Sequence, residues 1–191
     1  MDELRFDGRV AVVTGAGQGL GRSYARLLAA RGAKVVVNDL GCRMDGDGAD
    51  VSVAQTVVDE IVAAGGEAIA SADTVATPEG GAAIVAKAIE SWGRIDILIH
   101  NAGIIRLMPF REMDADSFDV IHSVHLRGGF NVVQPAFVAM EKAGYGRIVV
   151  TSSIAGLYGL AEQVNYSAAK AGLMGLGLAV ADAGRDSGVQ C

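Results

Sequence analysis

The sequence predicts an α/β fold with a mostly parallel sheet and helices on both faces. Three observations predict it. Short apolar runs alternate with segments of helical spacing in the order βαβαβαβαβαβ. The connections between them are mostly short. Glycine is concentrated where runs meet: the 191 residues hold 26 Gly, against about 13 at the usual ~7%.

The elements follow in order. Arg9–Thr14 is an apolar run followed at once by glycines and reads as a buried strand. Leu20–Arg31 has helical spacing and stops at Gly32, a C-cap. Lys34–Asn38 is a second strand, and Gly41–Asp50 is a polar, glycine-rich loop. Val51–Ala64 is a helix with Val53, Val57, Ile61 and Ala64 on one stripe, ended by Gly65-Gly66. Glu67–Ser71 is a weaker strand. Thr77-Pro78-Glu79 starts a helix, with a capping hydroxyl, Pro in the first turn and an acid beside the positive helix end. That helix runs to Trp92, and Ile95–His100 is a strong strand. Asp114 or Asp116 opens a long helix to Lys142, bent near Pro135. Arg147–Ser152 is a strand, Gln163–Arg185 a helix, and Val189–Cys191 begins another strand.

Composition narrows the function classes. With 51% hydrophobic and 20% charged residues the chain can bury a core, which excludes general disorder. At roughly 150 residues per domain, one domain over 1–191 is expected. Sixteen Lys and Arg against 22 Asp and Glu give a net charge of −6. That balance argues against nucleic acid and anionic membranes as partners. The longest charge-free stretch, Ile148–Ala161, has 14 residues and contains Thr151, Ser152 and Ser153. A membrane span needs about 18–20 apolar residues, so none is expected. The start, Asp2-Glu3, lacks the basic and apolar regions of a signal peptide. Cys42 and Cys191 form no CxxC pair, so neither a disulfide framework nor a cysteine zinc cluster is expected, and a cytoplasmic location fits.

Four groups of residues carry chemistry. Thr14-Gly15-Ala-Gly17-Gln18-Gly19-Leu20-Gly21 lies between a strand and a helix. Glycines there let the backbone approach a pyrophosphate, and the helix start offers N–H donors. No Gly-Lys-Ser/Thr follows, so this is not a Walker A loop. Asp39 ends the second strand 18 residues after Gly21. A carboxylate there accepts hydrogen bonds from ribose hydroxyls and repels a 2′-phosphate, which points to NAD; Arg22 and Arg43 stand nearby as possible phosphate partners. Tyr166 and Lys170 stand at i and i+4 on one helix face, where the cation favours phenolate. Ser153 lies 13 residues before Tyr166, at a strand end. Asp119, His122 and His125 can be read as metal ligands, but no third region matches them and no metal is expected. No Gly-x-Ser-x-Gly supports a hydrolase.

The order Thr14-Gly15-xxx-Gly19-x-Gly21, Asn101-Ala102-Gly103, Ser153 and Tyr166-xxx-Lys170 resembles the short-chain dehydrogenase/reductase family over almost the whole chain. The resemblance implies a Rossmann-type doubly wound parallel sheet binding NAD and a secondary alcohol or ketone. It implies Tyr166 as general acid/base, Lys170 on the nicotinamide ribose and Ser153 orienting the substrate oxygen. It implies Gly15, Gln18, Gly19, Leu20 and Gly21 at the cofactor, Asp39 at its ribose, Asp73 and Thr74 near the adenine, and Asn101, Ala102 and Gly103 steadying the sheet beside it. Val35–Gly41 with the loop after it, and Val124-His-Leu-Arg-Gly128, are similar to the (3R)-hydroxyacyl-CoA dehydrogenase branch of that family.

The sequence departs from the family in three places. His125 stands where the family has an Asn that helps hold a water in the proton relay; a His there can hydrogen-bond and shuttle protons. His100 replaces the first Asn of the Asn-Asn-Ala-Gly motif. The family domain also continues past the point of Cys191 into a substrate loop and a last strand, so the substrate floor is expected outside these residues. A dinucleotide-binding fold without turnover is the rival reading. The segment Ala171–Ala181 is apolar all round; it is expected to be buried on more than one side, in the core and in a homo-oligomer interface.

Overall fold

In the computed structural model, which describes residues 4–43, 45, 46 and 48–191, six strands form one parallel sheet in the order β3-β2-β1-β4-β5-β6. The strands are β1 (Val10–Thr14), β2 (Lys34–Asn38), β3 (Glu67–Ser71), β4 (Ile97–His100), β5 (Gly146–Val150) and β6 (Val189–Gln190). The helices are α1 (Gly19–Ala30), α2 (Ser52–Ala63), α3 (Pro78–Trp92), α4 (Ala115–His122), α5 (Gly128–Ala143), α6 (Ile154–Tyr158) and α7 (Val164–Ala183). This is the doubly wound arrangement the sequence predicts, with its strand order reversing between β1 and β4.

Alternation along the central strands builds two cores. Val10, Val12, Val36 and Leu98 face α3 and α5, where they meet Ile84, Val132, Val133 and Met140. Ala11, Val13, Val35 and Val37 face α1 and α2, where they meet Ala25, Leu28, Val57 and Ile61. Each fully buried Val, Leu or Ile contributes about 1.5–3 kcal/mol over exposure. Covering both faces is why β1 is buried at every position and reads as a continuous apolar run.

Helix ends follow their signals where those signals are local. Thr77 Oγ1 accepts a hydrogen bond from Gly80 N at 3.1 Å, and Gly93 closes α3 with φ +74°. Asp114, not Asp116, caps α4 by accepting from Ser117 N at 2.7 Å.

Four expectations shift. The buried stripe of α2 is Ala54, Val57, Val58 and Ile61; Ala64 is exposed. The long helix is divided by a π-type turn at Ser123–Arg127, while Pro135 lies inside an unbroken α5. The short helix α6 follows β5, where the sequence suggests only the end of a strand. Helix α7 buries one face, through Asn165, Ala169, Lys170, Leu173 and Gly177, and leaves Leu178 exposed.

One buried carboxylate fastens the end of the sheet opposite the glycine turn. Asp96 accepts from Arg94 Nε (2.8 Å) and Nη2 (2.6 Å), Arg9 Nη1 (2.8 Å) and Val10 N (2.9 Å). Burial alone would raise its pKa, but these donors hold it below the usual value. Asp96→Asn is expected to lower stability by about 2 kcal/mol, read from urea denaturation at neutral pH. The carboxylate's contribution is complete above the ordinary carboxylate range and fades as pH falls through its lowered folded-state value. The gap between wild type and variant should therefore narrow in acid.

Candidate active site

The carboxyl ends of β1, β2 and β4 open on a cleft of about 570 Å³. Its lining includes Gly15, Gln18, Gly19, Asp39, Asp73, Thr74, Asn101, Ala102 and Gly103. Nine of the residues chosen from the sequence are thus brought to one concave surface. Leu20 and Gly21 are not in its lining; Leu20 turns its side chain to solvent, 62% exposed, and Gly21 is buried under the turn.

The β1–α1 turn shows why glycine is needed there. Gly15 has φ +62°, and a Cβ on it would lie 2.7 Å from Ala102 Cα. A Cβ on Gly21 would overlap the Gly15 carbonyl. Gln18 is the N-cap of α1 but makes no side-chain cap, and the first turn has no acid. The helix therefore presents N–H donors and its positive end to the cleft.

Asp39 is fixed from both sides: Oδ2 accepts from Gly17 N at 2.8 Å and Oδ1 from Gly41 N at 2.7 Å. Each oxygen keeps a further acceptor site for a sugar hydroxyl. Arg22 is engaged with Glu60, while Arg43, its side chain 79% exposed and 3.7 Å from Asp45, lines the cleft. Asn38 is a residue that sequence reading passed over. Buried at the end of β2, its Nδ2 donates to Asp73 O at 2.9 Å and sets the β3 end of the cleft. The loop after β2 returns across the cleft, where Arg106 Nε donates to Asp45 O at 2.9 Å. Cys42 lines the same loop; burial and then Asp39 push its pKa up, so it is a thiol.

Donor groups and glycine cradle suit a dinucleotide. A negative pyrophosphate fits the uncapped start of α1, and a ribose with free hydroxyls fits Asp39.

The second half of the site is built where β5 meets α7. Lys170 is buried, 3% exposed, and its Nζ donates to Thr151 O at 2.5 Å. Ser152 Oγ donates to Lys170 O at 2.9 Å. These two bonds fasten the residues after β5 to the helix bearing Tyr166. Lys170 Nζ lies 5.5 Å from the Tyr166 ring centroid. Burial lowers the lysine pKa to about 8, so it remains mostly protonated at pH 7. Ser153 is the N-cap of α6, and its Oγ accepts from Ala155 N at 3.2 Å. Its hydroxyl hydrogen remains to donate. Asn165, also missed in the sequence, is fully buried; its Nδ2 donates to Ser117 O at 3.0 Å and locks the start of α7 against α4.

The histidines separate. His122 stacks on Phe118, with centroids 4.2 Å apart. His125 is 1% exposed and meets Tyr166 edge-on, at 5.1 Å between centroids. Its Nε2 lies 2.8 Å from Ile104 O and 3.1 Å from Ile104 N, while Nδ1 is buried without a partner. Burial first, then the Lys170 charge, push its pKa down to about 3. The ring is neutral at pH 7. Among the described residues, no three His, Cys, Asp or Glu side chains gather as metal ligands, and no helix is long and apolar enough to cross a membrane.

Comparison with known proteins agrees with this geometry. Peroxisomal multifunctional enzyme type 2 of Drosophila melanogaster is 52% identical over 189 residues, covering 99% of this chain and 31% of that protein. The mouse (Mus musculus) protein of the same name is 50% identical over 188 residues, covering 98% of this chain and 25% of its own length. The chain thus spans about a third or less of these relatives. A crystal structure of a short chain dehydrogenase from Mycobacterium avium superposes with TM-score 0.88 at 46% identity, covering 96% of this chain and 67% of that one. The full-length Drosophila melanogaster enzyme superposes with TM-score 0.82 at 45% identity, covering 98% of this chain and 30% of that one. The family profile described as short chain dehydrogenase matches residues 9–191, from the strand that starts the glycine turn through the helix that carries Tyr166 and Lys170, and the chain therefore belongs to that family.

Proposed function

We propose that the chain is an NAD(H)-dependent oxidoreductase that interconverts a secondary alcohol and a ketone, with 3-hydroxyacyl-CoA thioesters as its substrate class. The observation that carries this reading is the buried Lys170 ammonium, tied to Thr151 and 5.5 Å from the Tyr166 ring. A buried cation close to a phenol sets a fixed positive charge beside a group that can take and return an alcohol proton. Tyr166 then takes the substrate's hydroxyl proton in oxidation and returns it in reduction. Ser153 donates its free hydroxyl hydrogen to the substrate oxygen. His125 stays neutral and holds Ile104 beside the cleft. NAD+, once bound, would supply the hydride acceptor that turns the carbinol into the ketone.

Gly15, Gln18 and Gly19 would hold the pyrophosphate, with Gly21 packed beneath the turn and Leu20 offering only its backbone; Asp39 would hold the adenosine ribose, and Asp73 and Thr74 the adenine edge. Lys170 would reach the nicotinamide ribose, with Asn101, Ala102 and Gly103 behind it. Asn101 Nδ2 donates to Gly15 O at 3.1 Å, which supports that brace.

NADH is expected to bind at least about tenfold more tightly than NADPH, because a 2′-phosphate would meet the Asp39 carboxylate. Fluorescence titration of both cofactors checks this. Asp39→Asn should narrow the gap, and tighter NADPH binding to the wild type would remove Asp39 from its assigned place.

The assembly we propose is a homo-oligomer. Leu178 on α7 and Phe130 and Val138 on α5 are apolar and exposed, as an interface requires. Both cysteines are free thiols, which suits a reducing compartment such as the cytoplasm. The Drosophila melanogaster and Mus musculus relatives carry peroxisomal names, so the cytoplasmic reading rests on thiol chemistry.

A further inference from the structure

His100 ends β4 in the middle of the sheet, fully buried, and a chain of hydrogen bonds runs through it from the glycine turn to the catalytic side. Thr14 Oγ1 accepts from Asn101 N and from Ala102 N, both at 3.1 Å. Its two lone pairs are then used, so its hydrogen goes to His100 Nδ1, 3.2 Å away. With Nδ1 accepting, the ring proton sits on Nε2, which donates to His125 O at 3.0 Å. The same carbonyl also accepts from Gly128 N. Each hydrogen along this path has one acceptor, which leaves a single tautomer.

The carbonyl so held belongs to the π-type turn Ser123–Arg127, the one interruption between α4 and α5. Such a turn departs from the regular helical ladder, and the His125 carbonyl takes a second partner from outside it besides Gly128 N. His100 is that second partner. Gly129 leaves room for it: a Cβ there would stand 3.3 Å from His100 Cδ2. The turn in turn places the His125 ring edge-on to Tyr166 and bonded to Ile104.

We propose that His100 is a positioning residue for the reaction: as the Nε2–H imidazole it holds the His125 carbonyl, fixes the π-type turn, and thereby sets His125 and Ile104 against Tyr166. This deepens the oxidoreductase reading above and rests on it. Burial lowers the His100 pKa to about 4, so the ring adds no charge beside Lys170 at pH 7.

Two substitutions separate positioning from packing. His100→Gln keeps an N–H at the reach of Nε2. His100→Asn places its amide only at the reach of Nδ1. Each intact chain is measured for NADH affinity, for kcat with NAD+ and a 3-hydroxyacyl thioester, and by heteronuclear NMR of the imidazoles and backbone amides. In the wild type, His100 should show the Nε2–H tautomer with a slowly exchanging ring proton. His100→Asn should shift the Ser123–Arg127 amides and lower kcat by about 10- to 100-fold, with NADH affinity unchanged. His100→Gln should recover most of that loss. An Nδ1–H tautomer, unshifted turn amides in His100→Asn, equal impairment of both variants, or a parallel loss of NADH affinity would each overturn the proposal. Failure of the oxidoreductase reading shows separately, as a wild type that transfers no hydride. The tautomer and the turn amides then still decide what His100 does.

Discussion

Tyr166→Phe is expected to lower kcat by about a thousandfold or more while leaving NADH affinity unchanged. Removing a positioned acid/base typically costs about 10²–10⁴ in rate, and among the described residues no other phenol or carboxylate contacts Lys170 to replace it. The fold should tolerate the change. Among the described residues the Tyr166 hydroxyl has no hydrogen-bond partner, and the backbone is held separately, with Tyr166 N donating to Asn165 Oδ1 at 2.8 Å. The ring also keeps its edge contact with His125. Steady-state kinetics beside a fluorescence titration of NADH checks both halves. Loss of NADH affinity in parallel with kcat would mean that the tyrosine holds the cofactor instead of moving a proton.

Gly21→Ala should act in the opposite way, on the cofactor first. A Cβ on Gly21 would overlap the Gly15 carbonyl and stand 2.8 Å from Asn101 Nδ2. The obstructing atoms are backbone and a bonded amide, since Asn101 Nδ2 already donates to Gly15 O. They cannot swing aside, so the β1–α1 turn must open. Overpacking of this kind costs about 1–3 kcal/mol. Where the displaced backbone is the binding surface, that corresponds to NADH affinity lower by about 10- to 100-fold. Gly175→Ala is the control. It is also a helical glycine, but a Cβ there meets nothing within 4 Å. It should leave NADH affinity unchanged and raise stability slightly through helix propensity.

Parts of the structure that depend on local chemistry were legible in the sequence. The run Val10–Thr14 is buried on both faces, so its apolar continuity shows without a partner. The Thr77–Pro78 start and the glycine turn carry their own conformational signals. Tyr166 and Lys170 share a helix face by spacing alone.

What was not legible depends on distant residues. The π-type turn is held by His100, 25 residues before His125, and nothing within Ser123–Arg127 announces it. The stripe of α2 is misplaced because that helix has apolar residues on several faces, and small Ala54 packs inward where Val53 was expected. Helix α6 has only five residues, too few for a periodic pattern; its cap, Ser153, was recognised only as a candidate for chemistry. His125 shows the limit most clearly. Its burial, which one sequence does not reveal, lowers its pKa to about 3 and leaves the ring neutral.

The most direct test follows a labelled hydrogen. The intact chain is incubated with NAD+ and with secondary alcohols and 3-hydroxyacyl thioesters carrying deuterium on the carbinol carbon, and the reduced cofactor is analysed for deuterium. The expected result is deuterium in NADH from the wild type, strongest with the thioesters, and none above background from Tyr166→Phe. Tight NADH binding with no deuterium transferred from any of these substrates, and with Tyr166→Phe indistinguishable from wild type, would contradict it and leave a dinucleotide-binding protein without turnover.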